Sequence, residues 1–168
     1  SVLKANEQLL NSTTNLILDL RAHGGGSANS WPGLIPYIYT NPIKSIDADI
    51  LATETTISAY KKLLEKKNLS KEDVKDINSE IVRMEKGKGK WLTNNDDEID
   101  SSFKRKLFPK KIVILINKWC GSSTEEFLLA AKQSSKVILV GENTIGNLDY
   151  SNIVEVPFSC YPYTLVYP

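Results

Sequence analysis

A strand-length apolar run, KKIVILIN (Lys110 to Asn117), leads into WCGSSTEEFLLAAK (Trp119 to Lys132) and then into a second such run, KVILVG (Lys136 to Gly141). The middle segment opens on small residues, Gly121, Ser122 and Ser123, and continues as a helix pattern with Phe127, Leu128 and Ala131 on one face. Strand, tight turn, helix and strand in this order favour an α/β or mixed layered fold, with the helix packed on the strands. Ser123 and Glu126 have the S-x-x-E spacing of a capping box, which predicts Ser123 as the N-cap. Ser122 then precedes the helix N-terminus, where free backbone N–H groups and the positive end of the helix dipole point outward. That position suits a nucleophilic hydroxyl whose reaction develops an oxyanion. On local pattern alone, an ordinary strand–turn–helix connection with a serine cap is the simpler account.

Upstream, Ser1 to Ser12 reads as the end of an amphipathic helix with Leu3, Leu9 and Leu10 apolar. NLILDL (Asn15 to Leu20) has the length and composition of a buried strand and runs into RAHGGGSANS. Three consecutive glycines after a strand mean either a structural turn or a close approach to the backbone. Their spacing fits no dinucleotide fingerprint, since the third glycine would fall at Asn29, and no Gly-Lys-Ser/Thr follows to make a P-loop. SWPGLIPYIYTNPI reads as a short helix or turn with a Tyr-rich apolar face. From Ile43 to Leu107 the chain turns Lys- and Glu-rich. Ile57, Tyr60, Leu63 and Leu64 predict one helix there. Ser70 with Asp73 caps a second, whose stripe is Val74, Ile77, Ile81 and Met84. GKGKWLTNNDDEIDSS follows as a polar connection. About 44–107 is therefore an α-helical insertion on the edge of a single core domain spanning 1–168. NIVEVPF and YPYTLVYP are two further strands around Ser159 and Cys160.

The 168 residues suffice for one real core. A formal charge of +1 gives no electrostatic reason to expect nucleic acid, and no apolar run reaches the length of a membrane span. Two distant cysteines, Cys120 and Cys160, and one histidine argue against a zinc site. Free buried thiols are expected, with a disulfide as the alternative. The chain opens as if within a helix and stops without a capping element, so it reads as an excised segment of a longer parent.

In order, LILDLRAHGGGS, VILIN, SSTE (Ser122 to Glu125) and VGENTIGN together resemble the core of the tail-specific, or C-terminal processing, serine peptidase family. That family also takes in the tricorn core peptidase and the retinoid-binding-protein repeats. The resemblance covers nearly all of the chain outside the helical insertion. It implies a Clp-protease/crotonase-like layered core of ββα units. It also implies a polypeptide substrate, no cofactor, and a periplasmic, cell-envelope or extracellular setting. The family nucleophile falls on Ser122, three before Glu125 and nineteen before Gly141. Ser123 and Gly24 or Gly25 would offer backbone N–H groups to the oxyanion.

The chain departs from the family at the base. The processing peptidases place a lysine twenty-five residues after the serine, and here that residue is Asn147, whose neutral amide cannot take the proton. The tricorn-like branch, which this chain resembles more closely, takes a histidine from upstream and a carboxylate from downstream. An upstream domain of the same parent chain is therefore an expected partner, and the segment alone is expected to be inactive. His23, the only histidine, is a further candidate base, or else a loop histidine bonded to backbone. Asp19 and Arg21 read as ions anchoring the Gly loop, and Cys120 as a small buried residue. Asp149 and Tyr150 are either substrate-side or structural. The rival to an endopeptidase is a non-catalytic peptide- or ligand-binding domain of the same fold. A crotonase-type acyl-thioester enzyme is a third reading, without any residue that marks a coenzyme A site.

Overall fold

The computed structural model describes residues 2–26, 31–45, 48–67, 69–93, 98–148 and 154–167. In chain order the elements are α1 (Val2–Ala5), α2 (Glu7–Leu10), β1 (Asn15–Asp19), a 3-10 turn (Pro32–Leu34) and α3 (Ile35–Ile38). These are followed by β2 (Ile43–Ser45), β3 (Ile50–Leu51), α4 (Glu54–Leu63), α5 (Lys71–Lys86), β4 (Trp91–Leu92) and β5 (Glu98–Asp100). The chain closes with β6 (Lys111–Ile116), α6 (Ser123–Ala131), β7 (Val137–Gly141), β8 (Val154–Pro157) and β9 (Thr164–Tyr167). They form two compact units, one of 1–46 with 96–149 and one of 47–95 with 150–168. No helix among the described residues is long and apolar enough to cross a membrane.

The first unit holds a three-stranded parallel sheet in the order β1-β6-β7. The three apolar runs LILDL, IVILI and VILVG are thus neighbours, as their composition predicts. Leu16 and Leu18 of β1 and Val137 and Leu139 of β7 flank the buried Ile112 and Ile114 of β6. Phe127, Leu128 and Ala131 of α6 close over them, with Ile35 and Ile38 of α3 beside. Burying Phe127 and Leu128 stabilises this layer by about 1.5–3 kcal/mol each. The single apolar face fixes which way every strand residue points, because a one-residue slip would turn Leu16 and Leu18 outward. NLILDL is consequently only half buried. Ile17 is 69% exposed and Ile138 55% exposed on the opposite face, where a parallel sheet ordinarily has a second covering layer.

Lys136, at the entrance to β7, is buried, and among the described residues it has no carboxylate partner. Its ammonium donates to the carbonyls of Lys106 (2.6 Å) and Tyr37 (3.3 Å). Desolvation, then the nearby Arg105 charge, holds its pKa below the ordinary lysine value. The unfolded chain therefore binds more protons than the fold between that lowered value and the ordinary value of 10.5. Stability is expected to rise with pH through this alkaline window. Lys136→Met should flatten that rise in urea titrations; an unchanged slope would show that the cation carries no penalty.

The second unit pairs α4 with α5. Ser70 and Asp73 make the expected reciprocal cap, at 3.0 and 2.9 Å. Ile57, Ile81 and Met84 form the core of the unit with Ala52, whereas Val74 stays 38% exposed. The stretch GKGKWLTNNDDEIDSS, read as a polar connection, contains β4 and β5. Each forms a two-stranded antiparallel ladder, with β3 and β2 respectively. β8 and β9 form a hairpin of their own and do not extend the central sheet.

Candidate functional site

The site lies at the carboxyl ends of β1 and β6, where open parallel sheets place their ligands. Asn117, just past β6, accepts on Oδ1 from the N–H of Trp119 (3.0 Å) and of Ala22 (3.3 Å). One short side chain thus ties the turn after β6 to the loop after β1. Cys120 sits between the two, fully buried. Its thiol donates to the Leu20 carbonyl (3.2 Å) and accepts from the Asn117 N–H (3.4 Å), so it is a packed structural residue, as expected. Cys160 is exposed, not buried, and both thiols are free.

α6 begins at Ser123, and its N-cap is Ser122, one residue earlier than the Ser123–Glu126 spacing predicts. The reason is Glu125, whose carboxylate reaches back to the Ser122 N–H at 3.0 Å. Ser122 lies at φ 53° and ψ −128°, a conformation rare for a residue with a side chain and costing about 1–3 kcal/mol. A serine on a sharp, strained strand-to-helix turn is the geometry of a nucleophile elbow, which lifts the hydroxyl clear of the backbone.

Gly25 lies directly against this serine at φ +104°. A Cβ there would stand 2.7 Å from both the Gly121 carbonyl oxygen and the Ser122 Cβ, and 3.3 Å from the Ser122 Oγ. The glycine loop and the serine turn therefore face one another across a gap that only a bare backbone fits. Among the described residues, the N–H groups of Gly24, Gly25 and Ser123 have no acceptor. They are available to a developing oxyanion.

Glu125 is 2% exposed. Its oxygens accept from the backbone N–H of Gly146 (2.8 Å) and Asn147 (2.8 Å) as well as Ser122. Burial alone would raise its pKa. The hydrogen bonds from the Thr144 hydroxyl and from the amides of Asn147, Gly146 and Ser122 outweigh burial and hold it below the ordinary glutamate value. The anion thus clamps the TIGN turn onto the serine turn, and Asn147 takes part through its backbone.

His23 is held by Thr124. The Thr124 hydroxyl donates to the His23 carbonyl at 2.9 Å, and the same oxygen lies 2.5 Å from His23 Nδ1. A hydroxyl has one proton, so Nδ1 is the donor in the second bond, which leaves Nε2 as the ring nitrogen not engaged with Thr124. Among the described residues no hydrogen bond joins His23 to Ser122. Arg21 and Asp19 pair with each other, Nε to Oδ1 at 2.9 Å and Nη2 to Oδ2 at 2.7 Å. The side-chain hydrogen bonds from Arg21 lower the Asp19 pKa to about 2. Asp149 and Tyr150 lie outside the described residues.

Beside the serine turn a cleft of about 150 Å³ opens. Leu20, Leu34, Phe127 and the Trp31 ring wall it, and His23, Ser123 and Thr124 supply its polar edge.

Sequence reasoning missed Thr124 and Asn117, and took Glu125 only as a motif marker. A threonine inside a helix start and an asparagine at a strand end have commoner explanations, and only the fold brings their partners close.

The model of peptidase family S41 matches residues 1–164. The chain belongs to peptidase family S41. No curated protein and no solved structure matches it. Membership of S41, the C-terminal processing or tail-specific family, makes the chain a member of a serine peptidase family acting on polypeptides. In the S41 frame, the strained Ser122 and the glycine loop against it are the features that call for a chemical explanation.

Proposed function

We propose that this chain is the catalytic core of a serine endopeptidase of the tail-specific, C-terminal processing type, on a Clp-protease/crotonase-like layered core. The helical segment within about 44–107 is an insertion in that core. The observation that carries the reading is Ser122 at a strained turn with Gly25 packed against it. In the reaction, the Ser122 hydroxyl oxygen attacks the scissile carbonyl carbon and its proton passes to a base. The negative oxygen settles among the N–H groups of Ser123 and of Gly24 or Gly25. Collapse breaks the carbon–nitrogen bond, the amine leaves with the proton from the base, and an ester to Ser122 remains. Water then attacks the ester, releasing the carboxylate product and restoring the hydroxyl.

In this reading the base is supplied from upstream of this segment, and His23, through Nε2, is the alternative candidate within it. A periplasmic or extracellular setting belongs to this reading and rests on the resemblance alone. A second reading, a non-catalytic binding domain of the same fold, is favoured by one observation: among the described residues no basic side chain hydrogen-bonds to Ser122.

Fluorophosphonate labelling distinguishes these readings. Labelling of Ser122 in the parent chain, lost in Ser122→Ala and unaffected by Asn147→Ala, is expected. Labelling of the isolated segment that disappears in His23→Ala would move the base to His23. A parent chain that never labels would remove the peptidase reading in favour of the binding domain.

A further inference from the structure

Two of the described non-glycine residues have a positive φ, and they stand on the two segments that face each other at the site. Ala22, at 71°, is in the loop after β1, and Ser122, at 53°, is in the turn after β6. Such conformations persist only where the surroundings over-determine them. The Glu125 carboxylate holds the serine turn from the TIGN side. From the β6 turn, Asn117 and Cys120 reach the other segment only as far as Ala22 and Leu20. The residue that reaches the edge of the glycines is Thr124.

Thr124 is 4% exposed and follows Ser123 on α6. Its N–H donates to the Gly121 carbonyl at 3.2 Å, which keeps its main chain on the serine turn. Its hydroxyl donates to the His23 carbonyl at 2.9 Å, and among the described residues that carbonyl has no backbone donor. His23 Nδ1 donates into the same hydroxyl oxygen at 2.5 Å, so the hydroxyl proton is directed to the carbonyl. The two bonds join residues 101 apart in the chain.

We propose that Thr124 is a positioning residue for the acylation of Ser122, and that it acts by aiming the Gly24 N–H at the oxyanion. The assignment rests on the peptidase reading above. The His23 carbonyl and the Gly24 N–H belong to one peptide unit. That unit is planar and trans, so the two groups point in opposite directions within one plane. Holding the carbonyl therefore fixes the direction of the N–H. A hydrogen bond accepted by the carbonyl also polarises the unit and makes its N–H a stronger donor. On the other side of the gap Thr124 adjoins Ser123, whose N–H is the second donor. One side chain thus sets the spacing of both, through main chain alone, and of Gly24 and Gly25 it is Gly24 that supplies the aimed donor.

Rate constants for fluorophosphonate labelling of Ser122 in the parent chain, taken across a range of pH and read beside thermal melts, test this. Thr124→Val is expected to slow labelling about tenfold, because it misdirects a donor whose outright loss costs about 10²–10³-fold. The factor should be the same at every pH, and Thr124→Ser, which keeps the hydroxyl, should restore most of the rate. Should Thr124→Val not fold, Thr124→Ala is read in its place. An unchanged rate, a loss that Thr124→Ser fails to restore, or a loss that varies with pH would overturn the assignment and keep the peptidase; the last would mean that Thr124 acts on the His23 ring. A parent chain that never labels removes the peptidase reading, and the amide order parameter of Gly24 then decides. A fall from the rigid range, about 0.85, to below about 0.6 in Thr124→Val, with recovery in Thr124→Ser, keeps the aiming role, and no change overturns it.

Discussion

Gly25→Ala is expected to slow acylation of Ser122 by about 10²–10³-fold, the scale on which loss of an oxyanion donor is felt. The new methyl group would meet the Gly121 carbonyl oxygen and the Ser122 Cβ, each at 2.7 Å. Neither neighbour can yield cheaply. The first is backbone, and the second is held at a strained φ of 53° by the Glu125 clamp. The loop must therefore retreat, and with it the N–H groups of Gly24 and Gly25, while the N–H of Ser123 stays on its helix. An oxyanion site built from two segments fails when their separation changes, even if each segment remains folded. Gly26→Ala is the matched control. Gly26 also has a positive φ, +139°, but among the described residues a Cβ there meets nothing within 4 Å. Both variants carry backbone strain and only Gly25→Ala carries the collision. Rate constants for fluorophosphonate labelling of Ser122 in the parent chain, read beside thermal melts, check this. Equal losses in the two variants would mean that strain, and not the approach to Ser122, sets the effect.

The parts legible in the sequence are those governed by local periodicity. Ile112 and Ile114, Phe127 and Leu128, and the Ser70–Asp73 cap each announce themselves within one element, since burial and capping follow strand and helix repeats. That β1, β6 and β7 share one sheet was legible from their three apolar runs, but the order β1-β6-β7 and its register were not, because parallel pairing between strands so distant in the chain leaves no local mark. The misplaced N-cap shows a different limit. Ser122 with Glu125 and Ser123 with Glu126 are equivalent by spacing, and burial of the Glu125 carboxylate under the TIGN turn decides between them. The His23–Thr124 and Asn117–Ala22 bonds belong to the same class. Each joins polar residues whose own neighbourhoods explain them adequately as loop or cap, and the function of each comes from the distant partner. Exposure of Ile17 and Ile138 was hidden by composition, since an apolar run does not say whether one face of its sheet is covered or both.

Glu125→Ala should cost at least about 3 kcal/mol of stability, since each buried donor left without an acceptor costs about 1–3 kcal/mol. The N–H groups of Ser122, Gly146 and Asn147 would all lose their acceptor at once. A domain of this size has about 5–15 kcal/mol in total, so the loss is a large fraction of it. Ser122 would lose its clamp as well, and labelling should fall with stability. Glu125→Gln separates charge from shape. It keeps an acceptor oxygen, but its amide group turns donors toward backbone donors. The pH dependence has a definite sign. The folded pKa of Glu125 lies below its unfolded value near 4.5, so its contribution is complete above that value. It is lost as pH falls through the lower, folded pKa. Urea titrations from neutral pH down through the carboxylate range should therefore show a loss of stability that Glu125→Gln flattens. Asp19, whose pKa is lowered to about 2 by Arg21, titrates in acid too, but both members of that pair are largely exposed. Asp19→Asn should accordingly leave the curve almost unchanged. If Glu125→Gln matches the unsubstituted chain at every pH, the carboxylate is only a cap, and the order of the serine turn must come from the Asn117 and Cys120 contacts beneath it.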